Sequence, residues 1–353
     1  MVKYPKINYM GNIMLNFESD YIKGAHPDIL KALIETNDEP LSGYGRDKYT
    51  SLATDCIRAQ CKAPSAEVYY LTGGTQANKT VIATCLKLDE GVIAPATGHV
   101  SLHEVGAIEY TGHKVIELPA LEGKLDIDKA ETYLDTFYKD ENNVMMVRPG
   151  MIYISHPTEY GTLYTRAELE RLSDICERYE MKLFVDGARL GYGLCADGTD
   201  VTLADLAELC DVFYIGGTKV GSLCGEAVVF PYGAPERFWS LTKQHGAMVA
   251  KGRIFGVQFY TLFKDGLYYE ISRNAIERAN ELKAMLREKG YPLYLNSPTN
   301  QQFVILTNSQ YEKLSKSVKM SFWERLDGER LVVRFATSFA TTKEEIDELA
   351  KIL

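Results

Sequence analysis

The chain has 353 residues, 46% hydrophobic, 25% charged and 11% aromatic, enough to bury a large core without disulfide staples. Its 39 Lys and Arg against 48 Asp and Glu give a formal charge of −9, which offers no general attraction to a phosphate backbone, so no nucleic-acid partner is expected. No apolar run approaches the roughly 20 residues of a membrane span, and the start, Met1-Val2-Lys3-Tyr4-Pro5, lacks an apolar signal stretch. A cytoplasmic location with no membrane partner is expected.

In chain order, residues 1–40 carry one predicted helix near 27–36 and no assignable strand, and are expected to form an N-terminal arm that packs on one lobe or on a second subunit. From Glu67 to about Pro231, short β-branched or aromatic runs alternate with helix-period segments. That pattern predicts an α/β fold with a mainly parallel central sheet, its strands joined by crossover helices that cover both faces. Strands are predicted at 68–71, 92–94, 114–118, 151–155, 182–185, 212–215 and 227–230, with helices over 78–88, 129–138 and 166–180. The last is the best signalled, because Thr165 and Glu168 form a capping box and Leu169, Leu172 and Ile175 recur at helical spacing. After about Ala250 the rhythm becomes a long helix over 253–289, an isolated strand at 302–307, another at 331–335 and a closing helix after Thr342. A large domain over 41–250 and a small α+β domain over 251–353 are expected. The seven cysteines are odd in number, scattered and without a Cys-x-x-Cys pair, as expected of reduced, buried thiols.

Three segments each leave a predicted strand and enter a polar turn, where ligands of open parallel sheets bind. In Leu71-Thr72-Gly73-Gly74-Thr75-Gln76-Ala77-Asn78 the paired glycines let backbone approach a ligand, and the following helix offers free N–H groups to a phosphate; an ordinary strand-to-helix turn reads the same way. In Leu183-Phe-Val-Asp186-Gly187-Ala188-Arg189 a carboxylate ends an apolar strand, needing either a cationic ligand or the nearby guanidinium as partner. In Phe213-Tyr-Ile-Gly216-Gly217-Thr218-Lys219 a lysine lies just past a buried strand, where desolvation favours the neutral amine that attacks carbonyls; most lysines are simply solvated. Together they meet the needs of pyridoxal 5′-phosphate (PLP): a phosphate cradle, a carboxylate for the ring nitrogen and an amine for the aldehyde. His99, after the next strand, is placed to stack on that ring or move protons, or to be a satisfied structural histidine with His103 supporting it. His99, His103 and Glu104 also suggest a metal-dependent hydrolase, but the order is not His-Glu-x-x-His, and no metal is expected.

The ordered motifs Gly-Gly-Thr-Gln-Ala-Asn, Gly-His-x4-Glu-Val-Gly-Ala, Val-Asp-Gly-Ala-Arg and Gly-Gly-Thr-Lys resemble the threonine aldolase and β-eliminating lyase family, fold-type I PLP enzymes, from about Asn16 onward. The resemblance implies that Lys219 is joined to the cofactor aldehyde, Asp186 pairs with the pyridine nitrogen, Arg189 lies near the ring 3′-oxygen and His99 stacks on the ring. It implies a phosphate site of Gly73, Gly74 and Thr75, and a substrate-carboxylate site of Ser19 and Arg334. Family members are homodimers or homotetramers with shared active sites, which makes Tyr44 and Lys251 candidates in trans. The implied reaction cleaves the Cα–Cβ bond of a threonine-like β-hydroxy-α-amino acid to glycine and an aldehyde, the hydroxyl proton leaving to His99 directly or through water. β-Elimination and transamination are the alternatives on the same cofactor. One position departs: where the family carries a histidine, Ser155-His156-Pro157-Thr158-Glu159 has Thr158, so His156 or His99 substitutes or the substrate differs.

Overall fold

The apolar runs between Glu67 and Phe230 form one seven-stranded sheet: β1 (Glu67–Leu71), β2 (Glu90–Pro95), β3 (Val115–Leu118), β4 (Arg148–Ser155), β5 (Lys182–Asp186), β6 (Val212–Gly216) and β7 (Glu226–Phe230). This computed structural model describes residues 14–353, so the Met1–Pro5 start and the beginning of the arm lie outside the described residues. The strand order is β1-β7-β6-β5-β4-β2-β3. Every pair from β6 across to β3 is parallel, and β7 alone runs antiparallel to both its neighbours.

Side chains alternate across a strand, and this sheet buries both sets. Ile152, Ile154, Leu183, Val185, Phe213 and Ile215 join one apolar cluster with Leu169 and Leu172 of helix Arg166–Arg178. Met151, Tyr153, Phe184, Val212 and Tyr214 join the other, with Ala77 and Val81 of helix Gly74–Cys85. The same period of two carries Asp186, two residues past Phe184, onto the face of Tyr153 and Tyr214. Both halves of the Thr165–Glu168 capping box are present at the start of helix Arg166–Arg178.

Several elements differ from the sequence reading. The helix predicted over 253–289 is two, Arg253–Lys264 and Leu267–Glu288, divided at Gly266, whose φ of +79° is readily adopted only by glycine. Helix Lys48–Cys61 has no predicted counterpart. Asp47 caps it by accepting from the Tyr49 and Thr50 N–H groups at 3.0 Å, but its buried positions Ala53, Ile57 and Cys61 make a faint apolar stripe. The strand at 302–307 is not isolated: β8 (Gln301–Thr307), β9 (Ser321–Arg325) and β10 (Arg330–Ala336) form a second, antiparallel sheet in the order β8-β10-β9. β9 escapes sequence reading because it is half-exposed, charged and shifted in register between Phe322 and Glu324.

The arm does carry a strand pairing. Leu15–Asn16 pairs in parallel with Val318–Lys319, the Ala336 N–H donates to the Phe17 carbonyl at 2.8 Å, and Phe17 packs among Leu282, Val304, Val333 and Phe335. Past residue 250, Phe259, Leu262 and Phe263 of helix Arg253–Lys264 still pack in the large sheet's core. All seven cysteines are unpaired, and among the described residues no helix is long and apolar enough to cross a membrane.

Candidate active site

Three strand ends meet at one cavity of about 250 Å³, lined by Thr72–Thr75 after β1, Asp186 at the end of β5 and Lys219 after β6. Asp186 is buried and densely held. The Tyr153 hydroxyl donates to Oδ2 at 2.6 Å, the Asn78 amide to the same oxygen at 2.9 Å, the Ala188 N–H to Oδ1 at 3.0 Å, and the Tyr214 hydroxyl also to Oδ1. Burial pushes the Asp186 pKa up, but the His99 charge and these donors outweigh it, so the carboxyl sits below its ordinary value. Gly187 lets the β5 and β6 ends close together: a Cβ there would fall 1.9 Å from the Tyr214 carbonyl oxygen.

Burial and the Arg189 charge pull the Lys219 pKa down to about 8, against Asp20, Asp186 and Glu226. Only about a tenth of this amine is uncharged at pH 7, but that is far more than for an ordinary lysine. Glu226, at the start of β7, braces the turn that bears the lysine by accepting from the Gly217 N–H at 3.0 Å and the Thr218 hydroxyl at 2.7 Å. Burial drives the Glu226 pKa upward.

His99 opens the short helix after β2, with Nδ1 2.8 Å from Glu104 Oε1. The same Glu104 oxygen accepts from the Asn78 amide at 2.8 Å, so Asn78 links the partner of His99 to Asp186. Burial lowers the His99 pKa, but the Glu104 hydrogen bond and the Asp186 charge more than compensate and raise it above the ordinary value. His103 is exposed, its ring centroid 5.6 Å from that of His99. Among the described residues no three His, Cys, Asp or Glu side chains gather as a metal site.

The cavity opens into an outer chamber of about 530 Å³ through a wall shared by Tyr21, His99, Glu159, Arg189 and Lys219. Trp323 and Arg334 of the small lobe line its far side. Arg334 donates to Gln301 Oε1 at 2.9 Å and to the Glu18 carbonyl and Ser321 hydroxyl at 3.2 Å, and lies 5.3 Å over the Trp323 ring, while its Nε is buried without a partner. Burial and the Arg189 charge hold its pKa down to about 10. Ser19 is buried with an unpartnered hydroxyl and is not among the chamber's lining residues. Its neighbour Asp20 joins three parts of the chain, accepting from Arg189 Nε at 2.6 Å and Nη2 at 3.2 Å and from the Asn300 amide at 2.9 Å.

Two candidates lie elsewhere in the chain: Tyr44 lines a separate cleft with a φ of +61°, and Lys251 is exposed. His156 is turned away as well. It is fully buried near Tyr164, its ring nitrogens lack partners, and burial drops its pKa to about 4. Thr158 is 1% exposed and bonds Thr162 at 2.6 Å. The residue of this segment that reaches both chambers is Glu159, which sequence reasoning passed over along with Asp20, Asn78, Tyr153, Tyr214 and Glu226. For the tyrosines a signal was present, since each is a hydroxyl within an otherwise apolar run.

The sequence profile of the β-eliminating lyase family matches residues 16–309. The chain belongs to that family. The lyase is 28% identical over 339 residues to the low specificity L-threonine aldolase of Pseudomonas aeruginosa, across 95% of this chain and 96% of that protein. The solved structure of Leishmania major threonine aldolase matches it with a TM-score of 0.92 and 39% identity, across 96% of this chain and 98% of that one. Thermus thermophilus aspartate aminotransferase, at 15% identity and a TM-score of 0.70 over 96% of this chain and 92% of that one, shares the fold alone. The protein is thus a PLP-dependent lyase of fold type I.

The inner cavity suits PLP by its own chemistry. Gly73, the N-cap of helix Gly74–Cys85, contributes no capping side chain, and a Cβ on it would meet nothing within 4 Å, which leaves the first backbone N–H groups open to a phosphate. A carboxylate held ionised suits a pyridinium nitrogen, and a lysine whose pKa is lowered to about 8 suits an aldehyde.

Proposed function

We propose that the lyase cleaves the Cα–Cβ bond of a threonine- or allo-threonine-like β-hydroxy-α-amino acid, releasing glycine and an aldehyde. The observation that carries this reading is the join between the chambers: Lys219 stands in the shared wall and Arg334 lines the outer chamber. An amino acid held by its carboxylate at Arg334 presents its amine toward Lys219 and its side chain to the outer space. The threonine aldolases among its relatives support the choice of substrate class.

PLP, when bound, supplies an aldehyde for the substrate amine and a ring that accepts an electron pair from Cα. The roles of this chain's own groups follow from their places. Gly73, Gly74 and Thr75 hold the phosphate at the helix start. Asp186, kept ionised by Tyr153, Tyr214 and Asn78, keeps the ring nitrogen protonated. His99, braced by Glu104, would cover the ring, and Arg189, anchored on Asp20, would bind its oxygen. Lys219 would hold the cofactor through its aldehyde, and Arg334, which lines the outer chamber, would take the substrate carboxylate.

The active assembly in this reading is a cytoplasmic homodimer or homotetramer, with Tyr44 and Lys251 reaching a neighbour's chamber. Their placement away from their own chamber supports a role in trans. A panel of amino acids incubated with the purified protein tests the reaction. Glycine plus an aldehyde from a β-hydroxy substrate is expected; pyruvate plus ammonia, or a new keto acid, would replace this reading with elimination or transamination.

A further inference from the structure

We propose that Glu159 is the base that takes the substrate's β-hydroxyl proton, on its carboxylate oxygen Oε2. The inference rests on the aldol reading above and assigns the proton transfer that the family's missing histidine leaves open at Thr158.

Thr158 is spent on Thr162 inside the wall, and Glu159 is the next residue, in the partition between cofactor cavity and substrate chamber. Its two oxygens are treated differently. Oε1 accepts from the Ser155 hydroxyl at 2.6 Å and the His99 N–H at 3.0 Å, which fixes the carboxylate. Oε2 is buried and has no partner. A buried acceptor left unpaired is costly, so one carried by a residue that lines both chambers is complementary to a donor brought by the ligand. Of the groups on a β-hydroxy-α-amino acid, the carboxylate has no proton to give, the amine is required at Lys219, and the hydroxyl remains.

His99 is the weaker choice for this step. Its Nδ1 is committed to Glu104, and its raised pKa favours the imidazolium, which has no free lone pair. For Glu159, burial and the Asp186 charge raise the pKa while Ser155, its own backbone and His99 lower it, for a net rise. The charged groups around it from other elements are His99, Asp186, Arg189, Lys219 and Glu226 at the inner cavity, with Arg334 and Glu324 across the outer chamber. Tyr21, Tyr160 and His103 complete the titratable neighbours lining that space.

The step balances without a co-reactant. The O–H bond gives its pair to the new C=O bond, the Cα–Cβ bond breaks with its pair left at Cα, and the proton moves to Oε2. Glu159 then returns the proton to solvent and Cα regains one.

The test is Glu159→Gln, compared with wild type in the PLP-loaded protein. Aldehyde release is expected to fall roughly 10²–10⁴-fold, the usual worth of a general base. The acid limb of kcat/KM, which in wild type lies above the ordinary carboxylate range because protonation of Glu159 removes the base, is expected to vanish. PLP affinity of the stripped protein, read by tryptophan fluorescence, and deuterium exchange at the Cα of glycine, which has no hydroxyl, are expected to persist. Formate is expected to restore part of the aldehyde release of Glu159→Ala. Undiminished aldehyde release with the acid limb intact would overturn the assignment, as would joint loss of PLP affinity and glycine exchange, the mark of a structural role. Wild type that exchanges glycine but cleaves no β-hydroxy amino acid would sink the aldol reading and this assignment with it; wild type that cleaves while Glu159→Gln cleaves equally well sinks this assignment alone.

Discussion

The inner and outer halves of the site are built in opposite ways. The cofactor half lies on three consecutive-residue segments at strand ends, where neighbouring strands in one sheet hold Asp186, its tyrosines and Lys219 in place. The substrate half is gathered from the arm, the β4–helix turn and the small lobe, joined by pairs such as Asp20 and Arg189, 169 residues apart. In the proposed function the contrast separates chemistry from selection: the sheet edge holds the cofactor, and an assembled, multi-part wall chooses what reaches it.

That division predicts effects of different kind as well as size. Lys219→Ala is expected to abolish turnover and the visible absorbance of the bound cofactor, read by spectrum and product assay; retained turnover would show that the inner half is wrongly assigned. Asp186→Ala is expected to lower kcat about 10²–10³-fold, the scale for losing one preorganised electrostatic contact, with the spectrum altered. Arg334→Ala belongs to the outer half and is expected to raise KM about 10–100-fold, the worth of hydrogen bonds to a charged group, while leaving the cofactor spectrum as in wild type. A changed spectrum in that variant would erase the boundary between the halves.

The smallest effect concerns pH. In the proposed role the free Lys219 amine is the nucleophile, and with its pKa lowered to about 8 the rate at which stripped protein recaptures PLP is expected to rise with pH and level off above about 8. The sign follows from burial and Arg189 favouring the neutral form. A rate still climbing through the ordinary lysine range would mean that the amine is solvated before the cofactor arrives.

The same division decided what could be read from the sequence. The cofactor half was legible because each motif is local: an apolar run fixes a strand, its end fixes a turn, and the turn's residues face the ligand. Parity along the strands also placed Tyr153 and Tyr214 beside Asp186, a signal present in the sequence but outweighed by reading those runs as core. The outer half was less legible. Asp20 takes its meaning from Arg189 and Asn300, and Glu159 follows a non-periodic turn whose direction depends on packing of His156 and Thr158. The helix boundary at Gly266 was written in one residue, whereas helix Lys48–Cys61 hides its buried stripe among small side chains.

The most direct test of the account is reduction of the PLP-loaded protein with borohydride, followed by digestion and peptide mapping. A pyridoxyl adduct on the peptide bearing Lys219, and on no other, is the predicted result. An adduct on a different lysine, or none despite added cofactor, would contradict it.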